Sequence, residues 1–150
     1  MADLGVGPVT SHVMFTSPNK ELDGWIGKKC VITMELMAAD LDGGSETIQA
    51  LPAKEKATFV RALVSKMNAM HAVGYAHGDI KSANVMYKDV DGTLIPFLVD
   101  FGGATQGYNQ YAILQDNESM RSLVETLASG DKERASLIGL LERIIGVSGG

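Results

Sequence analysis

Four side chains in the second half of the 150-residue chain combine types and spacing that can do chemistry: Asp79, Lys81, Asn84 and Asp100. Asp79 and Asn84 stand five positions apart in "YAHGDIKSANVMY", in a loop between a helical and a strand-like stretch, so both can face one cavity. Asp100 ends the apolar run "FLVDFGG", where two glycines let the chain turn away from the carboxylate. A carboxylate with an asparagine amide oxygen is a hard-oxygen pair suited to magnesium, which takes few protein ligands and completes its shell with phosphate and water. Lys81 can reach a phosphoryl group as a point charge. Asp79 is then left to orient an attacking hydroxyl and accept its proton. The set fits phosphoryl transfer from a nucleotide–magnesium complex.

These residues need elements to position them. "GPVTSHVMFT" and "KKCVITMELM" read as two strands separated by the turn-rich "SPNKELDGWIG". The connector "MAADLDGGSETIQALP" has room for one short helix. From Pro52 to Val73 the periodicity is helical: Phe59, Leu63, Met67 and Met70 share a face, with Val60 and Val64 beside them. Lys54, Glu55 and Lys56 form its polar start, and Gly74 suits its end. A hairpin follows the loop, with "NVMY" and "TLIPFLVDF" as strands and "KDVDG" as the turn. That turn lacks the spaced ligands and terminal glutamate of a calcium loop. The gap "GGATQGYNQYAILQ" reads as irregular, and "DNESMRSLVETLASG" and "DKERASLIGLLERIIGV" as two amphipathic helices, each opening on Asp.

Composition narrows the class. An apolar content of 45% and a charged content of 21% are those of a globular protein with a real core. The net charge of −5 argues against a general nucleic-acid or membrane-surface binder. A single cysteine, Cys30, cannot form an internal disulfide and reads as a buried, inert thiol. The first residues have no basic stretch leading into a long apolar run, and no stretch is long enough to span a bilayer. The expectation is a cytoplasmic protein.

The loop resembles the catalytic loop of the protein kinase family. "HGDIKSAN" is similar to its H-R-D-x-K-x-x-N pattern, and "DFG" stands intact at Asp100, Phe101 and Gly102. The resemblance implies Asp79 as catalytic base, Lys81 as the phosphate-contacting lysine, and Asn84 and Asp100 as ligands of magnesium bound with ATP. It implies structural roles for His77, which would brace the loop, and for Phe101 and Gly102. "CVITMELM" looks like the fifth strand and hinge, with Met34 as gatekeeper and Glu35 and Met37 offering backbone groups to adenine. "DNESMRSLVETLASG" resembles the buried helix of the large lobe that opens on a structural Asp, here Asp116. The implied fold is α+β and protein-kinase-like: a partial small lobe with hinge over residues 1–37 and a minimal, mainly helical large lobe over 38–150. The implied activity moves the γ-phosphoryl of ATP to Ser or Thr of a protein substrate. Lys81 favours a protein over a small molecule.

Several parts of the family pattern are missing. "LGVGPVT" has Gly5 and Gly7 but Thr10 where a third glycine should fall. Lys28 and Lys29 stand too close to the hinge to be the phosphate-anchoring lysine, so the chain as given starts after that lysine. Gly78 replaces the arginine of H-R-D, and 13 residues separate Gly102 from Asp116 with no A-P-E. This leaves no arginine to read an activation segment and almost no segment to be read. The pattern is similar to compact kinases injected by bacterial pathogens and to some viral kinases, which would place the protein in a host cytosol. The alternative is a pseudokinase or kinase fragment that binds a partner without catalysis. A partner protein that completes or activates the site fits either reading.

Overall fold

The computed structural model describes residues 9–16, 28–34, 39–99, 104–107 and 109–149, with backbone alone for 9–16, 28–34 and 147–149. The architecture is mixed α+β. Strands β1 (Val9–Thr16) and β2 (Lys28–Met34) pair antiparallel from Thr16↔Lys28 to Val9↔Met34, with one irregularity between Val9 and Ser11. Glu35 and Met37, expected from the resemblance to form a hinge, and Asp100, Phe101 and Gly102 lie outside the described residues. Among the described residues no helix is long and apolar enough to cross a membrane.

A short β3 (Ala39–Asp40) leads into α1 (Leu41–Gln49), which Asp40 caps by accepting a 2.9 Å hydrogen bond from Gly43 N. Helix α2 (Ala53–Ala72) fills the expected range and forms the centre of the core. Phe59, Val60, Leu63, Val64, Met67 and Met70 are all buried, as their spacing requires. One side of α2 meets the sheet β3-β5-β6 and the other meets α3 (Gln110–Leu127) and α4 (Asp131–Gly149). The Phe59 ring stands edge-on to Tyr87 with centroids 6.2 Å apart, a favoured aromatic geometry.

The hairpin is tighter than its sequence suggests. Strands β5 (Val85–Val90) and β6 (Thr93–Leu98) run on to a two-residue turn, Asp91–Gly92, instead of the five-residue "KDVDG". Both turn residues have positive φ, 53° and 86°. This is the primed-turn geometry that matches strand twist and that Asp-Gly supplies at low cost. Asp89 Oδ1 accepts from Gly92 N at 2.7 Å and locks the turn. Pro96 is accommodated because β6 is the edge strand.

Two further corrections concern charge. Lys56, read from the sequence as part of a polar helix start, is fully buried. Its ammonium donates to Gln49 O at 2.8 Å, to Ser129 Oγ at 2.9 Å and to Glu133 Oε1. Three N–H groups thus find three acceptors, which ties α1, α2 and the start of α4 together. Asp116 does not open its helix. Asn109 caps α3, its Oδ1 accepting from Tyr111 N and Ala112 N at 3.0 and 3.3 Å, and the helix is already in its second turn at Asp116. The stretch 110–115, expected to be irregular, is helical.

Replacing Leu63 by Ala should cost about 2–5 kcal/mol of unfolding free energy, because the side chain is fully enclosed. In the same denaturant titrations, Glu133→Ala should lower the midpoint more than Lys56→Met. The first leaves an ammonium buried without its counter-charge, whereas the second removes the buried charge and leaves a carboxylate that reaches water.

Candidate functional site

The loop between α2 and β5 begins at β4 (Tyr75–Ala76), which pairs with β7 (Thr105–Gln106), and ends in a 3₁₀ turn at Ser82–Asn84. Its conformation is set from below by Asp116. This carboxylate is 1% exposed, and its Oδ2 accepts from His77 N at 2.7 Å while Oδ1 accepts from Gly78 N at 2.9 Å. His71 Nε2, from the last turn of α2, lies 2.9 Å from Oδ2. Successive amides converge on one anion when one of the residues takes positive φ, and Gly78 does so at 87°. The glycine in "HGD" is therefore the residue type that this clamp favours.

Burial pushes the Asp116 carboxyl up, but the hydrogen bond from His71 and those from the Gly78 and His77 amides together outweigh it. The carboxyl is held below the usual carboxylate range. His71 was not singled out in the sequence. Its signal was a histidine in the last turn of an amphipathic helix, which is indistinguishable from a helix-end cation until Asp116 is placed against it.

His77 makes contacts through both ring nitrogens within and below the loop. Asp79 N donates to its Nδ1 at 3.1 Å. Nδ1 is thus the acceptor nitrogen, and Nε2 carries the proton that it donates to Val99 O at 2.7 Å. The Val99 amide in turn donates to Asn84 O at 2.9 Å. Both backbone groups of Val99, the residue before Asp100, are therefore held by the loop.

Above this base the polar groups gather. Asn84 is 6% exposed, and its Nδ2 donates to Asp79 O at 2.8 Å and to Asp79 Oδ2 at 2.9 Å. Lys81 Nζ lies 3.6 Å from the same Oδ2. Both of those side chains are about half exposed, so the pair adds little stability and its position matters more than its strength. With Oδ2 engaged twice, Asp79 Oδ1 is left to accept a proton from outside. With both amide hydrogens of Asn84 used, its Oδ1 is left as a hard-oxygen donor. That donor set fits magnesium. Among the described residues no three His, Cys, Asp or Glu side chains cluster as a metal site.

The structure brings Asp79, Lys81, Asn84, His77 and Asp116 together. Met34 ends β2, paired with Val9, and Glu35, Met37, Asp100, Phe101 and Gly102 lie outside the described residues.

No protein-family model matches the chain. Among curated proteins it is similar to the serine/threonine-protein kinase VRK1 of Caenorhabditis briggsae, with 27% identity over 106 residues. The match covers 71% of this chain and 18% of that kinase's length. The likeness is distant and partial, and it is to a protein kinase.

The depressed Asp116 carboxyl gives stability a defined dependence on pH. An aspartate free in the unfolded chain titrates near about 3.9. The contribution of Asp116 is therefore fully present above that value and is lost as pH falls through the lower folded-state value. Asp116→Asn should unfold at lower denaturant than the native chain near pH 7. The gap should narrow as pH drops below about 4, as read by circular dichroism at a series of pH values.

Proposed function

We propose that the chain is the catalytic-loop part of a protein-kinase-like phosphotransferase that moves the γ-phosphoryl of ATP to a Ser or Thr hydroxyl of a protein substrate. One observation carries the reading. The Asn84 amide and the Lys81 ammonium converge on a single oxygen of Asp79, leaving one carboxylate oxygen and one amide oxygen open. The distant likeness to a serine/threonine kinase supports it.

In this reading Asp79 Oδ1 orients the acceptor hydroxyl and takes its proton as the new O–P bond forms and ADP departs. Lys81 sits beside that carboxylate, where its charge can hold the transferring phosphoryl. Asn84 Oδ1 and Asp100 would hold the magnesium, and the hinge around Met34, Glu35 and Met37 would hold the adenine. Magnesium–ATP, when bound, supplies the phosphoryl group and the positive charge that offsets its oxygens. The competing reading is a binding module, a pseudokinase or kinase fragment that engages a partner without catalysis.

Asp79→Asn should lower phosphate transfer at least about 100-fold while leaving magnesium–ATP affinity nearly unchanged, because Asn keeps the shape and loses only the base. Asp100→Asn should weaken magnesium–ATP binding itself. Radiolabelled phosphate transfer to a generic protein substrate, paired with calorimetric ATP titration, reads both. A native chain that transfers nothing, even with a complete kinase small lobe supplied in trans, would leave the binding module as the function.

A further inference from the structure

An open cavity of about 320 Å³ lies against the loop that carries Asp79. Ile80 and Leu123 supply its apolar part, Lys81 and Ser82 come from the loop, and Ser119 and Ser122 come from α3. Thr126 completes the α3 wall, since residues three, four and seven apart share one face of a helix. Lys81 also holds its ammonium 3.6 Å from Asp79 Oδ2. The cavity is therefore one side chain away from the carboxylate that, in the phosphotransfer reading, meets the acceptor hydroxyl.

The lining has donors to spare. Helical Ser and Thr hydroxyls often bond a carbonyl of the preceding turn, as Thr126 does to Leu123 O at 2.6 Å and Thr58 to Lys54 O at 3.1 Å. Ser119 and Ser122 do not, and the Ser82 hydroxyl likewise makes no hydrogen bond among the described residues. Three hydroxyls and one ammonium thus line the cavity, and no carboxylate is among its lining residues. Glu118, next to Ser119 in sequence, lines the separate cavity between α3 and α4 instead. Glu125, three residues after Ser122 and so beside it on the helix surface, is an exposed acid that opposes an anion there.

Resting on the phosphotransfer reading, we propose that this cavity reads an anionic side chain, carboxylate or phosphate, beside the acceptor Ser or Thr of the protein substrate. Ser82, Ser119 and Ser122 donate to its oxygens, and the Lys81 charge lies alongside. A guanidinium or ammonium finds no carboxylate in the lining and meets a like charge at Lys81. An apolar side chain covers the three hydroxyls without pairing them, which is costly.

Fluorescence anisotropy of the whole chain with labelled peptides tests this without any transfer, because the acceptor serine is replaced by alanine. The peptides carry Glu, phosphoserine, Ala or Arg at a neighbouring position. The anionic peptides should bind about five- to tenfold tighter than the Ala peptide, and the Arg peptide weaker than either. Tighter binding of phosphoserine than of Glu assigns the anion to prior phosphorylation of the substrate, and the reverse assigns it to a native acid. Ser119→Ala combined with Ser122→Ala should bring the Glu-to-Ala ratio within about twofold. Ser122→Glu should shift the preference to Arg, and Glu125→Gln should widen it towards Glu. Equal binding of the Glu, Ala and Arg peptides overturns the proposal, as does a ratio that survives the double serine change, whatever the transfer assay gives. A preserved preference with no phosphate transfer to the matching serine peptides removes the phosphotransfer reading and keeps the anion site.

Discussion

The candidate site depends on one buried carboxylate. Asp116 is withdrawn from water and would be costly there alone, yet it collects the His77 and Gly78 amides and the ring of His71. Hydrogen bonds of this kind, with one partner ionised, are roughly twice as strong as neutral ones. Leaving any donor unmatched in such a place is expensive, so the loop has few alternative conformations. What the clamp fixes is the backbone direction at Gly78, from which Asp79 is the next residue. A loop, ordinarily the most mobile kind of segment, is here made an extension of helices α2 and α3.

Rigidity then passes upward through backbone atoms. His77 grips Val99 O, Val99 N grips Asn84 O, and Asn84 Nδ2 returns to the carbonyl and side chain of Asp79. The ring of contacts closes with every donor and acceptor role assigned, and among the described residues it leaves Asp79 Oδ1 and Asn84 Oδ1 without a hydrogen bond, Asp79 being about half exposed. Lys81 adds to this, because a half-exposed ammonium 3.6 Å from a half-exposed carboxylate contributes little to folding but sets a positive charge where an anion would arrive.

The parts of this arrangement that could be read from sequence are those encoded locally. The 3.6-residue periodicity of Phe59, Leu63, Met67 and Met70 specified α2 and its buried face, and the eight residues "HGDIKSAN" specified which side chains share the loop. What escaped was non-local. Lys56 looked like a solvated helix start because its acceptors, Gln49 O, Ser129 Oγ and Glu133, come from three other parts of the chain. Asp116 looked like an N-cap because the true cap, Asn109, sits among glycine, tyrosine and glutamine with no periodic signal before it. The short hairpin turn was hidden by Lys88, Asp89 and Val90. These polar or branched residues read as loop, yet they pair in strict register with Ile95, Leu94 and Thr93.

Gly78 shows how a substitution that looks like a loss can be a structural requirement. From sequence alone it reads as the disappearance of an arginine that would dock an activation segment. In the fold it is the residue at φ 87° that lets two consecutive amides face the same carboxylate. A side chain at that position would have to be held in the left-handed region at a cost of about 1–2 kcal/mol. That cost would fall on the clamp that aims Asp79. Gly78 relieves the backbone at the point where the loop is anchored, because it takes the positive φ there without a side chain to strain.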